Sequence, residues 1–307
     1  METNGKGTII EELRKQQIEA VRLKRAAAKR KRRKRLWILV PCLLLLLLAA
    51  YVGSEILANR HFEITRYFLE SEKVDTPVKI AVLSDLHSME YGTKNSELIE
   101  AIRTEQPDFI AMIGDMVNDD DTDFTVIREL CRALREIAPV YYTLGNHEGT
   151  LMYSRLDQVA LDEMLTEDGV KMLINEVTEF QKGNTTIRIA GISNEAAGYE
   201  YWAKDKMEAF WEMDGYKLVL SHFPDLYDSL LKDATMDLAL AGHYHGGLIR
   251  LPGLGGIYHP ATGFFPQHAG GQYSLTNGTL IVSRGIGGHG GIPRINNRPE
   301  LVIIEIH

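Results

Sequence analysis

Short apolar runs rich in Val, Ile and Leu recur along most of this 307-residue chain, each followed by a polar cluster and often by a helical stretch. The runs are VKIAVLS, DFIAMIG, PVYYTLG, TIRIAGIS, YKLVLS, MDLALAG, TLIVSRG and ELVIIEI. They are apolar at consecutive rather than alternate positions, so each predicts a strand covered on both faces. Helical spacing fits residues 95–105, 123–137, 155–166 and 203–212. Strands alternating with helices predict an α/β protein with covered sheets. FEITRYFLES alternates instead, like a half-exposed strand, and places the start of the folded body near residue 61.

The N-terminal region has a different pattern. LWILVPCLLLLLLAAYV, Leu36 to Val52, is an uninterrupted apolar stretch of 17 residues, at the short end of the roughly 20 needed to cross a bilayer. It is apolar on every side and follows KRAAAKRKRRKR, which predicts a membrane span rather than a buried core helix. Pro41 falls in the first turns of that span, where it does least damage. The long charged lead and the lack of a clean small-x-small site favour an uncleaved anchor over a cleaved signal peptide.

Charge sharpens the division. Residues 1–35 hold 13 Lys and Arg against 4 Asp and Glu, whereas residues 54–307 hold 21 against 38. The predicted organisation is a basic cytoplasmic helical extension (1–35), a transmembrane anchor (36–53), a linker (54–60) and a catalytic domain (61–307). The basic arm is expected to lie on anionic headgroups, the N-terminus to stay in the cytoplasm and the body to sit on the extracytoplasmic side. A linker this short keeps the body within about 25 Å of the bilayer. The acidic body repels polyanions, so no nucleic-acid partner is expected. Cys42 lies in the span and Cys131 in the body, which excludes an intrachain disulfide.

Candidate chemistry sits immediately after the strands. VKIAVLS runs into Asp85-Leu86-His87, DFIAMI into Gly114-Asp115, PVYYTL into Gly145-Asn146-His147-Glu148, YKLVLS into His222, and MDLALA into Gly242-His243-Tyr244-His245. Ligands of α/β sheets bind at the carboxyl ends of strands. Any one cluster alone reads equally well as a turn or a packed loop histidine, but five in order point to one crevice. Asp, His and Asn are ligands suited to Mn, Fe or Zn, and the lack of nearby cysteine argues against a structural zinc site. Two carboxylates among neutral donors leave two divalent cations with residual positive charge, which a phosphate would neutralise.

The ordered blocks DLH, GD, GNHE, H and GHYH resemble the calcineurin-like metallophosphoesterase superfamily, over about residues 76–307. The stretches GGLIRLPG and VSRGIG followed by RPELVIIEI look like its membrane-anchored bacterial branch. That resemblance implies a sandwich of two mixed β-sheets flanked by helices. It implies one divalent metal ion on Asp85, His87 and His245, a second on Asn146, His222 and His243, and Asp115 bridging both. It places Asn146 and His147 toward substrate, with His147 assisting the leaving group. Tyr244 and Leu248 stand where the branch often has Thr and Gln, which puts substrate fit in question.

The implied function is metal-dependent hydrolysis of a phosphodiester, phosphomonoester or pyrophosphate by activated water. Some members of the branch are described as UDP-diacylglucosamine pyrophosphatases, which makes a lipid-linked nucleotide sugar an alternative substrate. A silent membrane-anchored metal-binding scaffold is the alternative of another class. The sequence after Gly114-Asp115 departs from the protein phosphatase pattern. Arg284 either meets substrate phosphate or pairs with an acidic side chain. The loop 252–271 is a substrate-side lid, a membrane-touching loop or a packed hairpin. His61, His259, His268, His289 and His307 match no block and are expected at the surface or in packing.

Overall fold

The computed structural model describes residues 4–193, 198–260, 262–288 and 293–307. His289 lies outside them. The chain divides into one unit ending at Ser54 and another running from Glu55 to His307. A helix, Asn4–Ala58, contains the apolar run and is long and apolar enough to cross a membrane. Residues 54–58, expected in the linker, continue this helix. Pro41 is therefore well inside a helix rather than near its start, and its missing N–H leaves the Trp37 carbonyl without its usual donor.

The second unit contains sixteen strands among its described residues. In chain order the first nine are β1 (Glu63–Leu69), β2 (Val78–Leu83), β3 (Phe109–Ile113), β4 (Val140–Thr143), β5 (Lys171–Met172), β6 (Glu176–Lys182), β7 (Thr185–Ile192), β8 (Tyr216–Ser221) and β9 (Leu238–Ala241). Four two-residue strands follow: β10 (Arg250–Leu251), β11 (Gly255–Gly256), β12 (Tyr258–His259) and β13 (Gly263–Phe264). The last three are β14 (Gly271–Leu275), β15 (Gly278–Val282) and β16 (Glu300–Ile306).

Twelve of these form two six-stranded sheets, ordered β1-β16-β2-β3-β4-β5 and β14-β15-β9-β8-β7-β6. Strands β2 to β5 run parallel, as do β7, β8, β9 and β15, while β16 against β2 and the outer pairs β6–β7 and β14–β15 are antiparallel. The sheets face each other across a core that includes Ile80, Val82, Phe109, Ile113, Ile189, Leu218, Leu220, Leu240 and Ile304. The opposite face of the first sheet packs on the helices Ser96–Glu105, Thr125–Arg135 and Leu161–Glu167, and that of the second on Lys204–Trp211. Cover on both faces explains why the strand sequences are apolar throughout rather than alternating.

All eight apolar runs form strands, and the four helical segments form helices with trimmed ends. The segment read as 155–166 begins its helix only at Leu161. Strand β6 carries no such signal. Its sequence EVTEFQK alternates between exposed and half-buried positions at a sheet edge.

Leu220 is fully buried between the sheets. Leu220→Ala is expected to lower unfolding free energy by about 2–5 kcal/mol, measured by denaturant titration of detergent-solubilised protein.

Candidate metal centre

The clusters converge because both sheets end their parallel strands at the same place. From the first sheet, β2 leads into Asp85 and His87, β3 into Asp115, and β4 into the short helix Asn146–Gly149. From the second, β8 leads into His222 and β9 into His243 and His245. Five of these residues have left-handed backbones: Asp85 (φ 54°), His87 (49°), Asp115 (53°), His243 (75°) and His245 (46°). Such conformations are uncommon for residues with a Cβ and cluster at functional sites. Hydrogen bonds between neighbouring loops hold them, from Asp85 N–H to the Gly114 carbonyl (3.0 Å), His87 N–H to the Asp115 carbonyl (3.1 Å) and Gly287 N–H to the Asp85 carbonyl (2.7 Å).

Two glycines are required for close approach. A Cβ on Gly145 would collide with the Asp115 carboxylate, and one on Gly242 with Ser84 Oγ and the Asp85 carboxylate.

Potential ligand atoms gather into three overlapping groups: Asp85, His87 and His245; His87, Asp115 and His147; and Asp115, His222 and His243. His245 Nε2 stands 3.4 Å from Asp85 Oδ1 and 3.3 Å from His87 Nε2. His222 Nε2 stands 3.0 Å from Asp115 Oδ2 and 3.8 Å from Asp85 Oδ1. The 3.0 Å approach lacks hydrogen-bond geometry, so His222 Nε2 is buried without a hydrogen-bond partner, as is Asn146 Oδ1. Two buried polar atoms without hydrogen-bond partners, set among carboxylates and imidazoles with no cysteine, suit a pair of hard or borderline divalent cations. The residues present fit such a pair.

Surrounding groups orient the rings. His222 Nδ1 donates to the Ile113 carbonyl at 2.8 Å, which leaves the Nε2 lone pair facing the centre. Asn118 Oδ1 lies 3.1 Å from His87 Nδ1, and its amide nitrogen donates to Asp121, so the amide oxygen accepts from Nδ1 and the neutral ring keeps its lone pair on Nε2. His147 differs, since its Nδ1 accepts the Asp119 N–H at 3.0 Å. The neutral ring therefore carries its proton on Nε2, 3.9 Å from Asp115 Oδ2. Its backbone N–H donates to Asp115 Oδ1 at 2.9 Å.

Burial and mutual charge divide the titrations. Burial pushes Asp85 up to about 6, with His222 opposing. Burial also opposes ionisation of Asp115, but His222, His147 and His87 together hold it below the usual carboxylate range. For His222, burial disfavours the cation, yet Asp115 and Asp85 push it up to about 10. Burial and then the charge of His222 lower His243 to about 3.

Sequence reading missed several residues that build this centre. Glu148, fully buried, accepts from Asp115 N–H (2.9 Å), Met116 N–H (2.7 Å), Gly145 N–H (2.8 Å) and Tyr142 Oη (2.6 Å). Tyr244 donates its hydroxyl to Asp225 at 2.5 Å, which ties the His243–His245 strap to the loop after His222. Arg294, also buried, donates to the carbonyls of His245, Arg284, Gly285 and Gly287. His259 packs against His243, Tyr244 and His245. Of these, Glu148 and Tyr244 stood inside recognised blocks.

Arg284 takes the second of its two expected readings, a pairing with acidic side chains. Its guanidinium is held by Glu300 and Glu63, with Nε 2.9 Å from Glu300 Oε2 and Nη2 2.5 Å from Glu63 Oε1, rather than turned to substrate. Buried Glu300 requires a cation, and Arg284 is the one that reaches it. Among the remaining histidines, His61 is exposed, His268 stacks on Tyr273 and His307 sits beside Glu305.

Residues 78–247 match the model of the calcineurin-like phosphoesterase family. The chain belongs to that family. It is 28% identical over 249 residues to phosphodiesterase YaeI of Escherichia coli K12, covering 80% of this chain and 88% of that one. It is 29% identical over 272 residues to an uncharacterized metallophosphoesterase of Aquifex aeolicus, covering 85% and 96% respectively. Among solved structures, a dimetal phosphatase from Danio rerio is similar over 68% of this chain and 88% of its own, at 12% identity and a TM-score of 0.41. Membership makes the protein a metal-dependent phosphoester hydrolase by class.

The raised His222 value has a sign that metal binding reveals. Between its ordinary 6.5 and about 10, the folded metal-free protein holds a proton that the unfolded chain does not. That contribution to stability is full below pH 6.5 and lost as pH rises toward 10. A bound cation must displace the proton, so Mn(II) affinity should rise with pH across this window. Calorimetry at pH 8 in buffers of different ionisation enthalpy should register the proton release. A second expectation concerns Arg284→Leu, which strands Glu300 and should cost about 3–5 kcal/mol in denaturant titration.

Proposed function

We propose that this protein is a membrane-anchored phosphodiesterase that uses water at a centre of two divalent cations. What carries this reading is the complete donor set at converging strand ends, with Asn146 Oδ1 and His222 Nε2 buried and without hydrogen-bond partners. The phosphodiesterase name of its Escherichia coli relative supports a diester over a monoester. Completeness of the donors supports hydrolysis over a silent scaffold.

Asp85, His87 and His245 would hold one cation and Asn146, His222 and His243 the other, with Asp115 shared between them. Mn, Fe and Zn all suit these donors. Cations held there would supply Lewis acidity toward phosphate oxygens and lower the pKa of water from 15.7 toward about 7. The protein supplies the remaining parts. Asp115 Oδ1 fixes His147 through its backbone N–H, and Asp119 N–H fixes the ring tautomer. His147 Nε2–H is then a hydrogen-bond donor to the leaving oxygen, where it stabilises developing charge.

The helix of residues 4–58 would anchor the body, with the basic arm in the cytoplasm and the centre on the extracytoplasmic side. A short tether brings the centre to substrates at the bilayer. That side favours a lipid-linked phosphodiester over the cytoplasmic nucleotide-sugar precursor.

Asp115→Asn should lose both bound metal and nearly all hydrolysis, measured by elemental analysis and turnover on the same preparation. His147→Ala should keep its metal and lose on the order of 10²-fold or more in kcat, whereas His147→Gln, which retains a donor, should lose less. On a panel of monoester, diester and pyrophosphate substrates, the diester should be cleaved with the highest kcat/KM, and a dominant monoester activity would overturn the assignment.

A further inference from the structure

We propose that the paired hairpins between Arg250 and Phe265 are a bilayer-docking surface that seats the metal centre at the headgroup boundary. They expose large apolar side chains, Leu251 at 44% and Leu254 at 66% at the turn of the first, and Phe264 at 72% and Phe265 at 61% at the open end of the second. Single exposed apolar residues are ordinary, but a group on one small substructure marks an interaction surface. The hairpins are stitched together, with Ile257 N–H donating to the Ile249 carbonyl and Phe265 N–H to the Ile257 carbonyl, each at 2.8 Å. Phe264 packs on Tyr258 with ring centroids 5.3 Å apart. The exposed apolar side chains therefore belong to one hydrogen-bonded substructure.

Position selects the bilayer as occupant. Glu55 lies three residues past the apolar run, and its carboxylate accepts Asn296 N–H at 2.7 Å. Asn59 donates to the Arg294 carbonyl at 2.7 Å. The same short segment pairs with the root of the hairpins: Ile295 N–H donates to the Leu248 carbonyl (3.1 Å), and Arg250 N–H to the Ile295 carbonyl (2.9 Å). Two hydrogen-bonded steps thus connect the residues where the chain leaves the apolar run with the strand that carries Leu251. The apolar surface is therefore rooted, within this unit, beside the residues that directly follow the apolar run. The surface also touches the centre, because Gly256 lies against Gly247 of the strap, and His259 of β12 packs on His243 and His245. Such a surface immerses apolar side chains about 5–10 Å into the headgroup and acyl boundary. It is suited to presenting a substrate with acyl chains. The inference rests on the anchor reading above.

The test is nitroxide depth measurement on the full-length protein in nanodiscs of phosphatidylcholine and phosphatidylglycerol. Native Cys42 reports the anchor, and Cys131 is buried with its thiol pushed up, so it does not label. Leu254→Cys and Phe264→Cys in a Cys42→Ser background report the hairpins, and Lys232→Cys, on an exposed polar turn, is the aqueous control. The expected result is immersion at Cys42, Leu254→Cys and Phe264→Cys, with greater collision with oxygen than with a water-soluble nickel chelate, and the reverse at Lys232→Cys. Immersion at Cys42 with aqueous hairpin labels overturns the docking surface alone. An aqueous label at Cys42 overturns the anchor and the docking surface together. Strong spin–spin broadening at Phe264→Cys without immersion assigns the hairpins to a second copy of the chain and likewise overturns the proposal.

Discussion

The carboxylate of Glu148 is the fixed point from which the centre is built. It is wholly buried and accepts three backbone N–H groups and one phenol, from Asp115, Met116, Gly145 and Tyr142. These donors belong to the ends of two adjacent strands, β3 and β4, so a single side chain sets the spacing between the loop bearing Asp115 and the loop bearing Asn146 and His147. With four donors its burial is compensated, whereas in the same place it would be costly with none. The geometry of the shared carboxylate follows, since the His147 N–H can reach Asp115 Oδ1 only when both loops are so clamped.

Strain around that point is distributed rather than local. Asp85, His87, Asp115, His243 and His245 all take left-handed backbones, and such residues persist only where their surroundings over-determine them. Arg294 supplies one such constraint by donating to four backbone carbonyls on the His245 and Arg284–Gly287 segments. Tyr244 supplies another through Asp225. Arg294 Nη2 also stands 3.2 Å from His245 Nδ1, and the Tyr244 ring lies 5.0 Å from that of His243, so both help decide where the strap lies.

How much of this was legible beforehand depended on the kind of interaction. The buried strands were, because covered sheets impose continuous apolar runs, and the placement of Asp85, His87, Asp115, Asn146, His222, His243 and His245 followed from their position at strand ends. Strand β6 was not, because an edge strand with one poor face alternates weakly and its residues Glu176, Thr178 and Glu179 resemble a loop. Arg294 was not, because apart from the His245 ring its partners are backbone carbonyls, which leave no trace in residue identity. Arg284 stood after a strand like the true site residues, and only the long-range contact with Glu63 and Glu300 separates it from them.

The pairing of β1 with β16 has a consequence for biogenesis. Among the described residues the first strand after the N-terminal helix pairs with β16 and no other strand, in parallel register from Glu63 with Glu300 to Leu69 with Ile306. Until residues 300–306 leave the ribosome, β1 lacks that partner, β2 has an open edge, and Glu63 lacks the Arg284–Glu300 pair. Contacts of such long sequence separation form late and slowly. A nascent chain that lacks β16 therefore leaves β1 and the adjoining edge of the first sheet unpaired.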